Sequence, residues 1–308
     1  MSGRALLTIL KRALVGWWND NVPRLGASLS FYTLFAMAPV LVVSIAIAGV
    51  AFGAEAVRGE VVTQMRDLVG EEGAQAVQAM LQAASQKRES WIATALGVFT
   101  FFIGATGAFL ELQTAINGIW RVKPKEGGHW LRELLMQRLI SFGLVIGVGF
   151  LLLVSLVVSA ALAALHRYMG SAFPALGQVW EAANVLVSFG VITLLFAMIY
   201  RILPDRQLAW RDVWLGAMVT SGLFSIGKFL IGLYLGTSGL ASAYGAAGSV
   251  VVLLLWVYYS SQVALLGAEF TRAWVEFEGV RPKPMVHAET DPAPEATGGQ
   301  GGGGAGGR

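Results

Sequence analysis

The chain has 308 residues, 56% of them hydrophobic and only 13% charged. Soluble domains average about 45–50% apolar and about 25% charged residues, so this chain lacks the charge to cover a water-facing surface of its size. Its 22 basic and 19 acidic residues leave a net charge of +3, too even to argue for a polyanionic partner. With no cysteine there is no disulfide framework, thiolate nucleophile or thiolate metal site. These numbers exclude a soluble globular enzyme, a disordered chain and a nucleic-acid-coating protein, and point to an integral membrane protein.

The first region, residues 1–27, is not a span. From Arg4 to Trp18 the apolar residues Leu6, Leu10, Ala13, Leu14 and Trp17 recur at spacings of three and four, with Arg4, Lys11 and Arg12 off that stripe. Trp17 and Trp18 suit headgroup depth. The segment is expected to be an amphipathic helix lying in the cytoplasmic interface. Lys11-Arg12 interrupts its apolar residues, so it does not read as a signal peptide.

Residues 28–270 form the membrane domain. A spanning helix needs about 20 mostly apolar residues. Six stretches qualify: Ser28 to Gly53, Trp91 to Leu112, Leu139 to Leu165, Ala182 to Leu203, Val213 to Leu235 and Ser249 to Phe270. Between the first two, residues 54–90 carry Val57, Val61, Met65 and Leu68 at helical spacing, then Gly70-Glu71-Glu72-Gly73, then Val77, Met80 and Leu81. The glycines are expected to break this stretch into a periplasmic helical hairpin. Beyond the last span, residues 271–308 are expected to be a cytoplasmic tail. From Arg281 it holds four prolines and then eight glycines within residues 298–307, a composition expected to be disordered.

Basic residues set orientation. Sixteen fall on the side of the N-terminus, the loop after span two, the loop after span four and the tail; five fall on the other side; Lys228 lies inside span five. Six spans with both termini on the cytoplasmic side are therefore expected. The predicted fold class is all-α, a polytopic membrane protein of six transmembrane helices.

Ionisable groups at membrane depth are costly, so each is a candidate for function. Glu111 ends span two, Lys228 lies in span five, and Gln262 and Glu269 lie in span six. Arg24, Arg138 and Arg201 fall at the depth of Glu111 and Glu269 and are the expected ion-pair partners. The segment from Thr237 to Ser249 is uncharged, with Gly245 and Gly248 permitting close backbone approach and Tyr244 supplying a polar handle. It is either a partly re-entrant segment or a plain outer turn. Pro39 is expected to kink span one next to Ser28, Ser30, Tyr32 and Thr33.

Catalytic patterns are missing. His129, His166 and His287 have no metal-ligand spacing, and no phosphate-binding glycine loop or nucleophile elbow occurs. The expectation is no enzyme, no metal and no cofactor.

Three motifs together resemble the YihY/BrkB family of bacterial inner-membrane proteins. Leu25-Gly-Ala-Ser-Leu-Ser-Phe-Tyr-Thr-Leu-Phe-Ala-Met-Ala-Pro39 is similar to its first-span signature. Arg201-Ile-Leu-Pro204 with Trp210-Arg-Asp, Gly216 and Lys228 is similar to its fifth-span region. Tyr244-Gly-Ala-Ala-Gly248 with Leu254-Leu-Trp-Val-Tyr-Tyr-Ser-Ser-Gln262 and Gly267-Ala-Glu269 resembles its sixth. The likeness spans roughly residues 10–275 and implies six spans with both ends cytoplasmic. It implies no settled activity: an old ribonuclease label is regarded as misassigned, some members are named for virulence or serum resistance, and lipid or solute export has been suggested. The expected function is transport or export of a lipid or amphiphilic solute, with membrane lipids as partners and no nucleic acid. The alternative is a non-transporting envelope scaffold.

Overall fold

The computed structural model describes residues 3–85, 107–124, 177–237, 244, 247–285 and 288–291. Helix α1 (Gly3–Asn19) turns into α2 (Val22–Phe52) through Asp20 and Asn21. Asn21 takes φ 52, a left-handed conformation that Asn tolerates better than most residues. Pro23 stands in the first turn of α2, where its missing N–H is not needed. The helix continues past Pro39 and ends at Gly53, whose φ of +84 suits a residue without a Cβ.

Helix α3 (Ala54–Ser85) then runs unbroken for 32 residues. This corrects the expected hairpin: Gly70-Glu71-Glu72-Gly73 is helical. A glycine costs a helix only about 1 kcal/mol relative to alanine. Packing outweighs that here, because Ala76, Val77 and Leu81 are buried against Ile45 of α2 and Leu253 of the last helix. Glu71 also binds Arg66 at 2.5 Å. The segment is thus one helix laid against the bundle rather than a detached pair.

Residues 107–119 are helical and lead to strand β1 (Val122–Pro124). Helices α4 (Gly177–Ile202), α5 (Trp210–Thr237) and α6 (Gly248–Phe277) follow, and strand β2 (Ala288–Thr290) closes the series. Among the described residues, three helices are long and apolar enough to cross a membrane, through Val185–Ile202, Trp210–Tyr234 and Gly248–Phe277. They coincide with the expected spans four to six. The first expected span lies within α2. The second reaches the described helix at 107 and is continued past Leu112 to Ile119. The rest of span two, span three and Arg138 lie outside the described residues.

The main core gathers Ile116, Ile119 and Trp120 with Phe196, Tyr200, Leu208, Val213 and Leu265. Glycines let the last two helices close up. A side chain on Gly216 would strike Thr271, one on Gly267 would strike Thr220 and Tyr200, and one on Gly227 would strike Tyr259. Tyr200 Oη donates to the carbonyl of Ala264 at 2.6 Å, fixing α4 to α6. Helices α5 and α6 are therefore closely packed from Gly216 to Gly227 of α5.

The tail departs from expectation. After α6, Gly279 at φ +75 donates its N–H to Glu276 O and Val280 donates to Val275 O, a Schellman ending that turns the chain back. Residues 281–285 and 288–291 then form a strap. Gln207 N donates to Lys283 O and Met285 N to Asp205 O, both at 2.9 Å. Strand β2 pairs antiparallel with β1, Val122 opposite Thr290. The start of the expected disordered tail is thus ordered by backbone hydrogen bonds, and a small two-stranded sheet joins the otherwise helical fold.

Candidate functional site

The α1–α2 corner brings Asp20 over the end of α6. Its carboxylate accepts a close hydrogen bond from Arg121 and a second from Arg272 Nη1 at 3.3 Å. Arg272 Nη1 also donates to the carbonyl of Ile119 at 2.7 Å, and Arg272 Nε donates to Glu276 at 2.9 Å. Glu269, one turn before Arg272, places Oε2 at 3.9 Å from Nη1. Three carboxyl groups thus face two guanidinium groups, drawn from the α1–α2 turn, the end of the 107–119 helix and α6.

Glu269 is only 2% exposed. Its Oε2 lies directly against Gly16 of α1, where no side chain has room. Its Oε1 has no hydrogen-bond partner among the described residues. A buried acceptor costs about 1–3 kcal/mol unless a hydrogen-bond donor such as water reaches it.

Seven residues before Glu269 on the same face of α6, Gln262 donates from Nε2 to the carbonyl of Val22 at 3.3 Å and fills the space over Gly26. Its Oε1 is again without a partner among the described residues, as is Ser260 Oγ. On the other side of α2, Ser28 Oγ donates to Glu111 at 2.5 Å. Two residues on, Gln113 reaches Asp205 at 3.4 Å, and Asn117 exchanges hydrogen bonds with Asp205 at 2.7 and 2.9 Å. Helix α2 is therefore flanked by Glu111 on one side and Gln262 on the other.

The strap closes over this end. Arg206 donates to the carbonyl of Pro282 at 2.7 Å and reaches that of Arg121 at 3.5 Å. Burial pulls the Arg206 guanidinium below its usual range, Arg272 adds to the pull and Glu276 opposes it. From so high a starting value it remains a cation at neutral pH.

Of the residues singled out from sequence, the structure brings Glu269 and Gln262 to one face and sets Glu111 across α2 from them. Among the described residues Glu269 pairs with neither Arg24, which is exposed, nor Arg201, which is half-buried with its Nε unpartnered there; Arg138 lies outside the described residues. Its partner is Arg272, with Asp20 and Arg121 alongside. Lys228 stands apart on α5, half-buried and without an ion pair among the described residues, beside the exposed Phe229 and Leu230. Tyr244 is exposed on a turn and Gly248 begins α6, while Gly245 lies outside the described residues. The residues missed are Gly16, Asp20, Arg121 and Arg272. Spacing offered one signal, since Glu269, Arg272 and Glu276 sit at i, i+3 and i+7.

The family described as "Virulence factor BrkB" matches residues 13–289. A "UPF0761 membrane protein" of Ralstonia nicotianae is 28% identical, over 81% of this chain and 54% of the relative. One of Chromobacterium violaceum is 28% identical, over 84% and 60%. One of Rhodospirillum centenum is 30% identical, over 87% and 58%. The chain thus spans little more than half the length of these relatives. No solved structure matches it.

Proposed function

The chain belongs to the BrkB virulence-factor family of membrane proteins, and from that premise we propose that it transports a lipid or amphiphilic solute across the bacterial inner membrane. In this reading it crosses six times with both termini in the cytoplasm, as the basic-residue asymmetry favours, and α1 lies along the cytoplasmic face. It is not an enzyme and binds no nucleic acid. The observation that carries the reading is the polar face of α6. Gln262 and Glu269 are held against glycines of α2 and α1, and each keeps one acceptor without a partner among the described residues. A bundle built only to hold its shape gains nothing from buried acceptors left unfilled. We place the route on the α2–α6 side, where Gln262 and Glu269 lie. The charged knot closes that side at the Asp20 end.

The competing scaffold reading draws on the same knot and on the strap, both of which tie loops together. Purified protein in proteoliposomes separates the two. Labelled lipid or amphiphile should cross faster than in empty vesicles, and Gln262→Leu should slow it with the fold intact. Wild-type protein that moves neither under any imposed gradient would refute transport and leave the scaffold.

A further inference from the structure

Helix α1 touches the bundle along one narrow strip. Ile9 and Ala13 pack on Phe270 and Ala273, and Gly16 covers Glu269. The opposite side has no partner among the described residues. There Leu7 is 67% exposed, Leu10 43%, Leu14 50% and Trp18 72%. These four fall on one helical stripe, which extends the apolar surface well past what the bundle uses. Arg4 and Lys11 are seven residues apart along one edge of the stripe, and both are exposed. From Gly3 to Asn19 there is no acidic side chain, so the charge carried by α1 itself is wholly basic. The two-residue turn at Asp20 and Asn21 fixes α1 to the start of α2, the first expected span, and so holds it at the depth where a span begins.

An apolar stripe of this size with a purely basic edge matches an anionic bilayer surface in both its parts. We propose that α1 is a docking surface for the anionic lipids of the leaflet. Leu7, Leu10, Leu14 and Trp18 enter the upper acyl region, and Arg4 and Lys11 hold the headgroup phosphates. The proposal rests on the placement of α1 along the membrane face and adds the lipid class that the helix selects. It stands whether or not the protein transports.

The chain has no cysteine, so Leu14→Cys gives a single labelling site. The full chain carries a bimane label there, in nanodiscs of phosphatidylcholine alone or with one part in three phosphatidylglycerol. Brominated acyl chains are expected to quench the label, and more strongly in the anionic discs. Arg4→Gln and Lys11→Gln should each weaken that anionic preference by about fivefold, and high salt should weaken it in the unmutated background. Equal lipid quenching in both kinds of disc would overturn the anionic selectivity while leaving α1 on the membrane. Quenching by a water-soluble agent instead would overturn the placement itself. Energy transfer between labels on two copies would show that a second chain covers the stripe, which also overturns the proposal.

Discussion

Gly16 and Glu269 are in direct contact: the α-carbon of one lies where any side chain would collide with the carboxyl oxygen of the other. Helix α1 can therefore lie this close to α6 with a larger residue at this position only if the Glu269 carboxyl group shifts. The contact joins the helix read here as interfacial to the one deeply buried carboxyl group of α6.

Enlarging Gly16 tests that geometry. Gly16→Leu is expected to lower the thermal midpoint in detergent, because overpacking a closed site costs about 1–3 kcal/mol. Gly16→Ala should cost less, since better helix propensity offsets part of the clash. Differential scanning fluorimetry reads both; a Leu variant as stable as wild type contradicts the close packing.

Arg272 is the hub of the knot. Arg272→Ala leaves Asp20 with Arg121 alone, strips Glu269 and Glu276 of their ion pair and exposes the carbonyl of Ile119. Breaking a buried pair costs about 3–5 kcal/mol, and a loss toward that range is expected in chemical unfolding. Arg272→Lys keeps the charge but not the forked donors, and should recover only part of the loss. If Arg272→Ala costs less than a surface substitution, the knot does not hold the fold.

The strap should register in hydrogen exchange. The amides of Gln207, Met285 and Asp291 are bonded across it, to Lys283, Asp205 and Arg121. They are expected to exchange slowly. Ala288→Asp puts a carboxylate at a buried strand position and should speed all three, with helices α4 and α5 unchanged. Fast exchange in the unmutated protein would contradict the strap.

Orientation has its own test. Gln75→Cys on exposed α3 should label from outside intact cells, and Lys123→Cys should label only after permeabilisation. Labelling of the Lys123 position from outside would overturn the proposed topology.

The apolar helices were legible because length and hydropathy alone define a span. Glu269 was legible too, since a carboxyl group in an apolar helix is conspicuous. Its surroundings were not. Asp20 and Arg121 reach it from distant parts of the chain, and only the folding of α1 onto α6 brings them together. Helix α3 misled because its glycines carry a small local penalty, while the gain that outweighs it comes from Ile45 and Leu253, remote in sequence. The strap left no side-chain signal: it is held by backbone groups, and its prolines suggest a linker.

The central claim is that a lipid or amphiphile passes along the α2–α6 face beneath α1. The most direct measurement is transport by reconstituted protein carrying Ala13→Cys and Ala273→Cys, two residues that share the α1–α6 contact. Flux of labelled lipid would be followed before and after joining them with a short thiol-specific cross-linker that a reductant can cleave. The account predicts flux in the open protein, a sharp fall on cross-linking and recovery on reduction. Equal flux with α1 locked to α6, or no flux in any state, would contradict it.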